Sequence, residues 1–192
     1  MNRHIREKVV HIMKVVAVLG SPHEDGFSST LARELLRGAA DAGHQVVVYQ
    51  VNTMNVKGCQ GCRYCKENDA DCIVQDDLKP YWKDLHECGA LLVSGPNYAS
   101  QVCGPMITFM NRHYCLLDRD WKVRVHAGIK LVGVFSQGNG NPEAYMAQYN
   151  WYLGDFQNRD MVLVDTLIHV GNQPLRPDCE LMRRAYSTGK NL

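Results

Sequence analysis

The stretch KVVAVLGSPHEDGFSSTLARELLRGAADAGHQVVVYQV, residues 14–51, decides the fold. Lys14 to Leu19 is a continuous apolar run of strand length that stops at Gly20. Leu31 to Ala42 then sets Leu31, Leu35, Ala39 and Ala42 at helical spacing, with Leu36 alongside, and Gly43 follows as a stop signal. Gln45 to Val51 returns to β-branched residues and predicts a second strand. A first strand without polar alternation is covered on both faces, so strand, helix and strand form one parallel βαβ unit.

Working outward, periodicity disappears from Asn52 to Asp77, a cysteine-rich loop 52–77 whose length marks it as functional. Beyond it the pattern predicts a helix over Lys79–Glu87, a strand over Ala90–Ser94 running into Gly95-Pro96, and a helix over Pro105–Leu117. A strand over Lys130–Ser136 follows, then a helix opened by Asn141-Pro142 and reaching Phe156. Met161–Val170 is the last strand and Pro177–Ser187 the last helix. Five apolar strands alternating with amphipathic helices predict an α/β chain with a single domain. Its expected architecture is a flavodoxin-like, doubly wound, five-stranded parallel sheet with its ligand beyond the carboxyl ends of the strands. Residues 13–192 form that domain, and residues 1–12 are a basic N-terminal extension ahead of Met13.

The balance of 21 Lys+Arg against 20 Asp+Glu in 192 residues leaves a formal net charge of +1. Such a chain has no broad basic face for nucleic acid, so no nucleic-acid partner is expected. It contains no apolar run long enough to cross a bilayer, so no membrane partner is expected either. Its first dozen residues lack the apolar core of a secretory signal. A reducing, cytoplasmic setting is therefore expected, in which the eight cysteines serve metal or redox chemistry rather than a disulfide framework.

Three loops at the strand ends carry the candidate binding residues. The first, Gly20 to Thr30, is neither a Gly-x-Gly-x-x-Gly fingerprint nor a Walker A loop. It brings Ser21, Pro22, His23, Ser28, Ser29 and Thr30 to a helix N-terminus, where free N–H groups and the helix dipole favour phosphate. An ordinary hydroxyl-capped helix is the plainer alternative. The second loop offers Pro96, Asn97, Tyr98 and Ala99, with an aromatic face and hydrogen bonds suited to a planar heterocycle; the third offers Ser136, Gln137 and Gly138. Three loops converging on one edge, one of them fit for phosphate, point to a mononucleotide.

The most specific local signal is Cys59-x2-Cys62-x2-Cys65-x6-Cys72. Short Cys-x2-Cys steps let a loop wrap a [4Fe–4S] cluster. Four-cysteine zinc and redox-active or unligated thiols remain alternatives at this point, although the compact triple spacing suits two separate zinc knuckles poorly. Cys88, Cys103, Cys115 and Cys179 read as structural. The histidines, His113 included, show no metal or nucleophile spacing and read mostly as surface residues.

These motifs resemble the flavodoxin-like iron–sulfur flavoproteins and the wider NAD(P)H-dependent FMN reductase family, over about Lys14 to Arg112. The residues that carry the resemblance are Gly20-Ser21-Pro22-His23 with Gly26 and Ser28-Ser29-Thr30, the cysteine run followed by Asp76-Asp77-Leu78, Gly95-Pro96-Asn97-Tyr98, and Met106 to Arg112. His23 stands where the family carries Arg, which makes that position sensitive to pH near neutrality. The resemblance implies a flavoprotein oxidoreductase that binds FMN through the three loops. Cys59, Cys62, Cys65 and Cys72 would hold a [4Fe–4S] cluster, NAD(P)H would be an electron donor, and the chain would be a homodimer or homotetramer. Electrons would pass between FMN, the cluster and a redox partner protein or small-molecule electron acceptor. Two alternatives stand beside this electron-transfer reading: a cluster-free NAD(P)H-dependent FMN, quinone or nitro reductase, and a non-enzymatic binding module switched by zinc or thiols. No catalytic acid or base is nominated, because the cofactor carries the chemistry.

Overall fold

A computed structural model of the chain describes residues 12–192. The extension expected over 1–12 therefore lies, apart from Ile12, outside the described residues. The strands are β1 (Lys14–Leu19), β2 (Gln45–Gln50), β3 (Cys88–Tyr98), β4 (Gln101–Val102), β5 (Lys130–Gln137) and β6 (Val162–Val170). The helices are α1 (Phe27–Asp41), α2 (Tyr64–Asn68), α3 (Lys79–Glu87), α4 (Gly104–Arg112), α5 (Met146–Gln157) and α6 (Glu180–Lys190). Strand order is β2-β1-β3-β5-β6, all parallel.

Alternation along the central strands builds two cores. Val16, Val18, Leu91 and Val93 face one side with α3, α4 and α5; Val15, Ala17, Leu19 and Leu92 face the other with α1 and α6. Parallel strands buried on both faces explain why β1 reads as an unbroken apolar run. The second layer is held by a close crossing of α1 on α6. A Cβ on Gly38 would run into the Tyr186 carbonyl, and one on Gly189 into the Leu35 carbonyl.

The sheet has six strands rather than five. After Tyr98 the chain doubles back through Ala99 and Ser100, both at positive φ (49° and 62°), and β4 pairs antiparallel with the end of β3. Two successive left-handed residues are what a two-residue hairpin turn requires. Pattern reading misses it because neither residue is Gly or Asn and the strand is two residues long. α1 begins at Phe27, four residues before Leu31: the apolar stripe starts late, and Ser28, Ser29 and Thr30 occupy the first turn. The loop expected to lack structure over 52–77 holds the short helix α2, flanked by Arg63 and Asp69 in left-handed conformation. His44, His113 and His169 are buried rather than on the surface, each hydrogen-bonded through a ring nitrogen, to the Met13 amide, the Tyr81 hydroxyl and the Gln173 carbonyl respectively.

Candidate functional site

Because β1, β3, β5 and β6 are parallel, the loops that follow them leave one edge of the sheet, and there they enclose a cleft of about 530 Å³. That size suits a small cofactor. The first loop is tightly built. Gly20 N–H donates to the Ser94 carbonyl, and a Cβ on Gly20 would collide with the Met106 side chain and lie 3.0 Å from Cys103 Sγ. Ser21 Oγ and Ser29 Oγ both donate to the His23 carbonyl, at 3.0 and 2.8 Å, so these two hydroxyls shape the loop. Ser28 differs: it is 1% exposed, lines the cleft, and its Oγ has no partner. Gly26 caps α1 and accepts from Thr30 N–H, so the first-turn amides of Phe27, Ser28 and Ser29 precede the helical ladder.

The β3 end contributes Pro96, Asn97 and Tyr98. Asn97 Nδ2 is buried beside the Tyr149 hydroxyl yet finds no acceptor of hydrogen-bond geometry. Tyr98 stands at the rim, 49% exposed. The β5 end contributes Ser136, Gln137 and Gly138. Gln137 is already spent: its Nε2 donates to the carbonyls of Asn139 and Asn141 and its Oε1 accepts from Tyr149 at 3.0 Å. Burial, the largest influence on the Tyr149 hydroxyl, pushes it up to about 12.

Pro22, Ser29, Thr30 and Ala99 do not line the cleft. Ala99 turns the hairpin, and Thr30 Oγ1 reaches back to the Asp25 carbonyl. Sequence reading named Gly26 only within the motif that carries the resemblance, and it missed Asp25, Phe27, Gly171 and Asn172. Gly171-Asn172 follows the last strand just as the other loops follow theirs, so the parallel topology was the signal that could have found it. Phe27 is fixed by stacking on His169 at 3.9 Å. The titratable side chains of this lining are His23, Asp25 and Tyr98. The cleft thus offers donors and shape, and its redox chemistry has to come from what it binds.

The cysteine run folds elsewhere. Cys59, Cys62, Cys65 and Cys72 all line one small pocket beside the end of α4, together with Arg112, Tyr114 and Cys115, and it shares no lining residue with the cleft. Cys59 and Cys62 are exposed, Cys65 is buried, and all four thiols are free. The Cys65 thiol is pushed up chiefly by burial, opposed by Lys66 and reinforced by Cys72, Cys59 and Cys62. Lys66, itself buried, lies 4.1 Å over the Tyr114 ring and donates to the carbonyls of Tyr114 and Leu117; burial lowers its amine. Cys115 is pushed up to about 12 by burial and stays a thiol. Among the described residues, no three His, Cys, Asp or Glu side chains are placed to hold a metal ion.

An iron-sulfur flavoprotein of Methanocaldococcus jannaschii is 27% identical over 145 residues, covering 73% of this chain and 72% of its own. A second one from that organism is 26% identical over 162 residues, covering 83% and 75%. Among solved structures, an NAD(P)H:quinone oxidoreductase from Methanothermobacter marburgensis superposes with a TM-score of 0.71 at 18% identity, covering 94% of this chain and 96% of that one. The last likeness concerns the fold, and it agrees with the mostly parallel sheet described above. The model for NADPH-dependent FMN reductase matches residues 13–164, and on that match the chain belongs to the NADPH-dependent FMN reductase family.

Proposed function

We propose that this flavin-dependent oxidoreductase passes electrons between FMN in the strand-end cleft, a [4Fe–4S] cluster in the cysteine pocket, and a redox partner. Family membership makes the chain a flavin-dependent oxidoreductase, which sets aside the non-enzymatic binding module. The observation that carries the cofactor's position is the pair of buried, unpartnered donors on the cleft wall, Ser28 Oγ and Asn97 Nδ2. Buried polar atoms are almost always paired, so two orphans facing one cavity mark contacts left for a ligand.

Ser28 Oγ and the first-turn amides of α1 would hold the phosphate, helped by the helix dipole. Asn97 and Tyr98 would meet the ring system, and Gln137 braces the β5 loop against which it lies. Ser21 and Ser29 keep the first loop in shape. Pro22, Thr30 and Ala99 act, if at all, through that backbone. Bound there, FMN would supply two-electron acceptance from NAD(P)H with release one electron at a time. A cluster held by Cys59, Cys62, Cys65 and Cys72 would supply single-electron transfer. Cys59, Cys62, Cys65 and Cys72 line one pocket, and four thiolates are the donor set that such a cluster takes. Because the two sites share no lining residue, we propose a homodimer or homotetramer that brings a cysteine pocket towards a neighbouring chain's cleft.

An absorption spectrum of anaerobically purified protein, with iron and acid-labile sulfide assayed on the same sample, tests this. Flavin bands with about four irons per chain are expected. Flavin without iron would leave the cluster-free reductase in its place. No flavin would overturn the cleft assignment.

A further inference from the structure

Among the described residues Arg112 is the most deeply buried side-chain cation, with 0% side-chain exposure, and its partner Asp76 is equally buried. Its Nη1 donates to Asp76 Oδ2 and to the Lys57 carbonyl, and its Nε donates to Cys72 Sγ at 3.3 Å. Its Nη2 is buried with no partner at all, and the residue lines the cysteine pocket. Asp76 is equally committed, accepting from the amides of Lys57 and Leu78 as well.

A buried ion pair kept only for stability is a poor bargain, because desolvation offsets the attraction and a hydrophobic pair of similar volume does as well. Here one of its donors is aimed at a sulfur and another is left without a partner, on a residue that lines the pocket of the four thiols. Donors directed at thiolate sulfur favour the electron-rich state of a metal centre, and outer groups of this kind tune redox potential and ligand orientation.

On the cysteine-pocket reading above, we infer that Arg112, oriented by Asp76, is the positioning residue of the cluster: it fixes Cys72 and raises the reduction potential of the centre. Removing the guanidinium takes away the donor to Cys72 and leaves Asp76 as a buried negative charge, and both changes disfavour the reduced cluster. Removing the Asp76 charge while keeping its oxygen leaves Arg112 positive, with the opposite effect. A purely structural pair would not move the potential in opposite directions.

The test is an EPR-monitored redox titration of anaerobically purified wild type, Arg112→Gln and Asp76→Asn. The flavin midpoint in the separate cleft serves as internal control. R112Q is expected to shift the reduced-to-oxidised ratio about tenfold towards oxidised, ~59 mV downward for one electron, and D76N a similar amount upward. Shifts below about twofold (~18 mV) in both variants, or of the same sign, overturn the assignment. Should R112Q fail to hold iron, D76N decides alone: an unchanged or lowered potential overturns it. Wild type that takes up no iron would instead sink the cluster reading, and this assignment with it.

Discussion

Replacing Ser28 by Ala is expected to act with opposite sign on the empty and the FMN-loaded chain. In the structure the hydroxyl is 1% exposed and its oxygen has no partner. A buried, unsatisfied polar group costs about 1–3 kcal/mol, and Ala removes it with little change in volume. At the low end of that range, with ~2–4 °C per kcal/mol for a chain of this size, apo S28A should melt ~2–4 °C above wild type. With FMN bound the same substitution deletes a hydrogen bond to a charged phosphate, about 1.5–3 kcal/mol. At 1.4 kcal/mol per decade that is a ~10–100-fold weaker Kd. Quenching of flavin fluorescence on titration gives the affinity, and a thermal melt of flavin-stripped protein gives the stability. An unchanged Kd would move the phosphate away from Ser28. A lowered melting temperature of the empty variant would show that the hydroxyl is satisfied without a ligand.

Four further substitutions separate the other parts of the structure. Gly189→Ala pushes a methyl into the Leu35 carbonyl at the α1–α6 crossing and is expected to cost about 3 kcal/mol, since backbone cannot step aside as a side chain does. Gly154→Ala, on the helix α5 with nothing within 4 Å, should instead gain roughly 0.5–1 kcal/mol; equal melting temperatures for the two would refute the crossing. His113 is lowered to about 3, mostly by burial and then by Arg159, so between its ordinary value of ~6.5 and that value only the unfolded chain takes its proton. Stability is thus complete above pH ~6.5 and falls by up to ~1.4 kcal/mol per unit as pH drops towards 3. His113→Gln should flatten that slope in denaturant midpoints measured from pH 7 to 5, and an unaltered slope would locate the acid sensitivity elsewhere. Cys62→Ala is expected to lose iron and sulfide while retaining the flavin bands; losing both would mean that the cysteine loop supports the cleft.

The strand-helix framework was legible because each element advertises itself locally. β1 is apolar throughout since α-helices cover both its faces, and α1 carries its stripe from Leu31. Parallel topology then placed the ends of β1, β3 and β5 on one edge before any coordinates, and the same logic extended to β6 would have added Gly171 and Asn172. What stayed hidden was set by contacts between distant residues. Nothing near Ala99 and Ser100 announces a turn, because non-glycine residues hold those left-handed conformations only when the surrounding fold imposes them. Nothing near Ser28, Ser29 and Ser21 says which hydroxyl is spent on the His23 carbonyl and which is left open. His113 looked like a surface residue, yet Tyr81, Trp82, Phe109 and Phe156 pack around its ring.

The cysteine pocket shows the same limit most sharply. Thiol spacing alone left cluster, zinc and unligated thiols in competition, because spacing shows which thiols can converge and not what they hold. Arg112 is buried on Asp76 and the Lys57 carbonyl, and on the proposed cluster its Nε–H on Cys72 would meet a metal-bound thiolate. Cys59, Cys62, Cys65 and Cys72 line one pocket, as the proposed cluster requires. Asp76 and Arg112 sit in separate stretches of the family resemblance and meet in the fold as the two ends of one buried pair. Neither residue signals the pair at its own place in the chain; only the fold brings the two together beside Cys72.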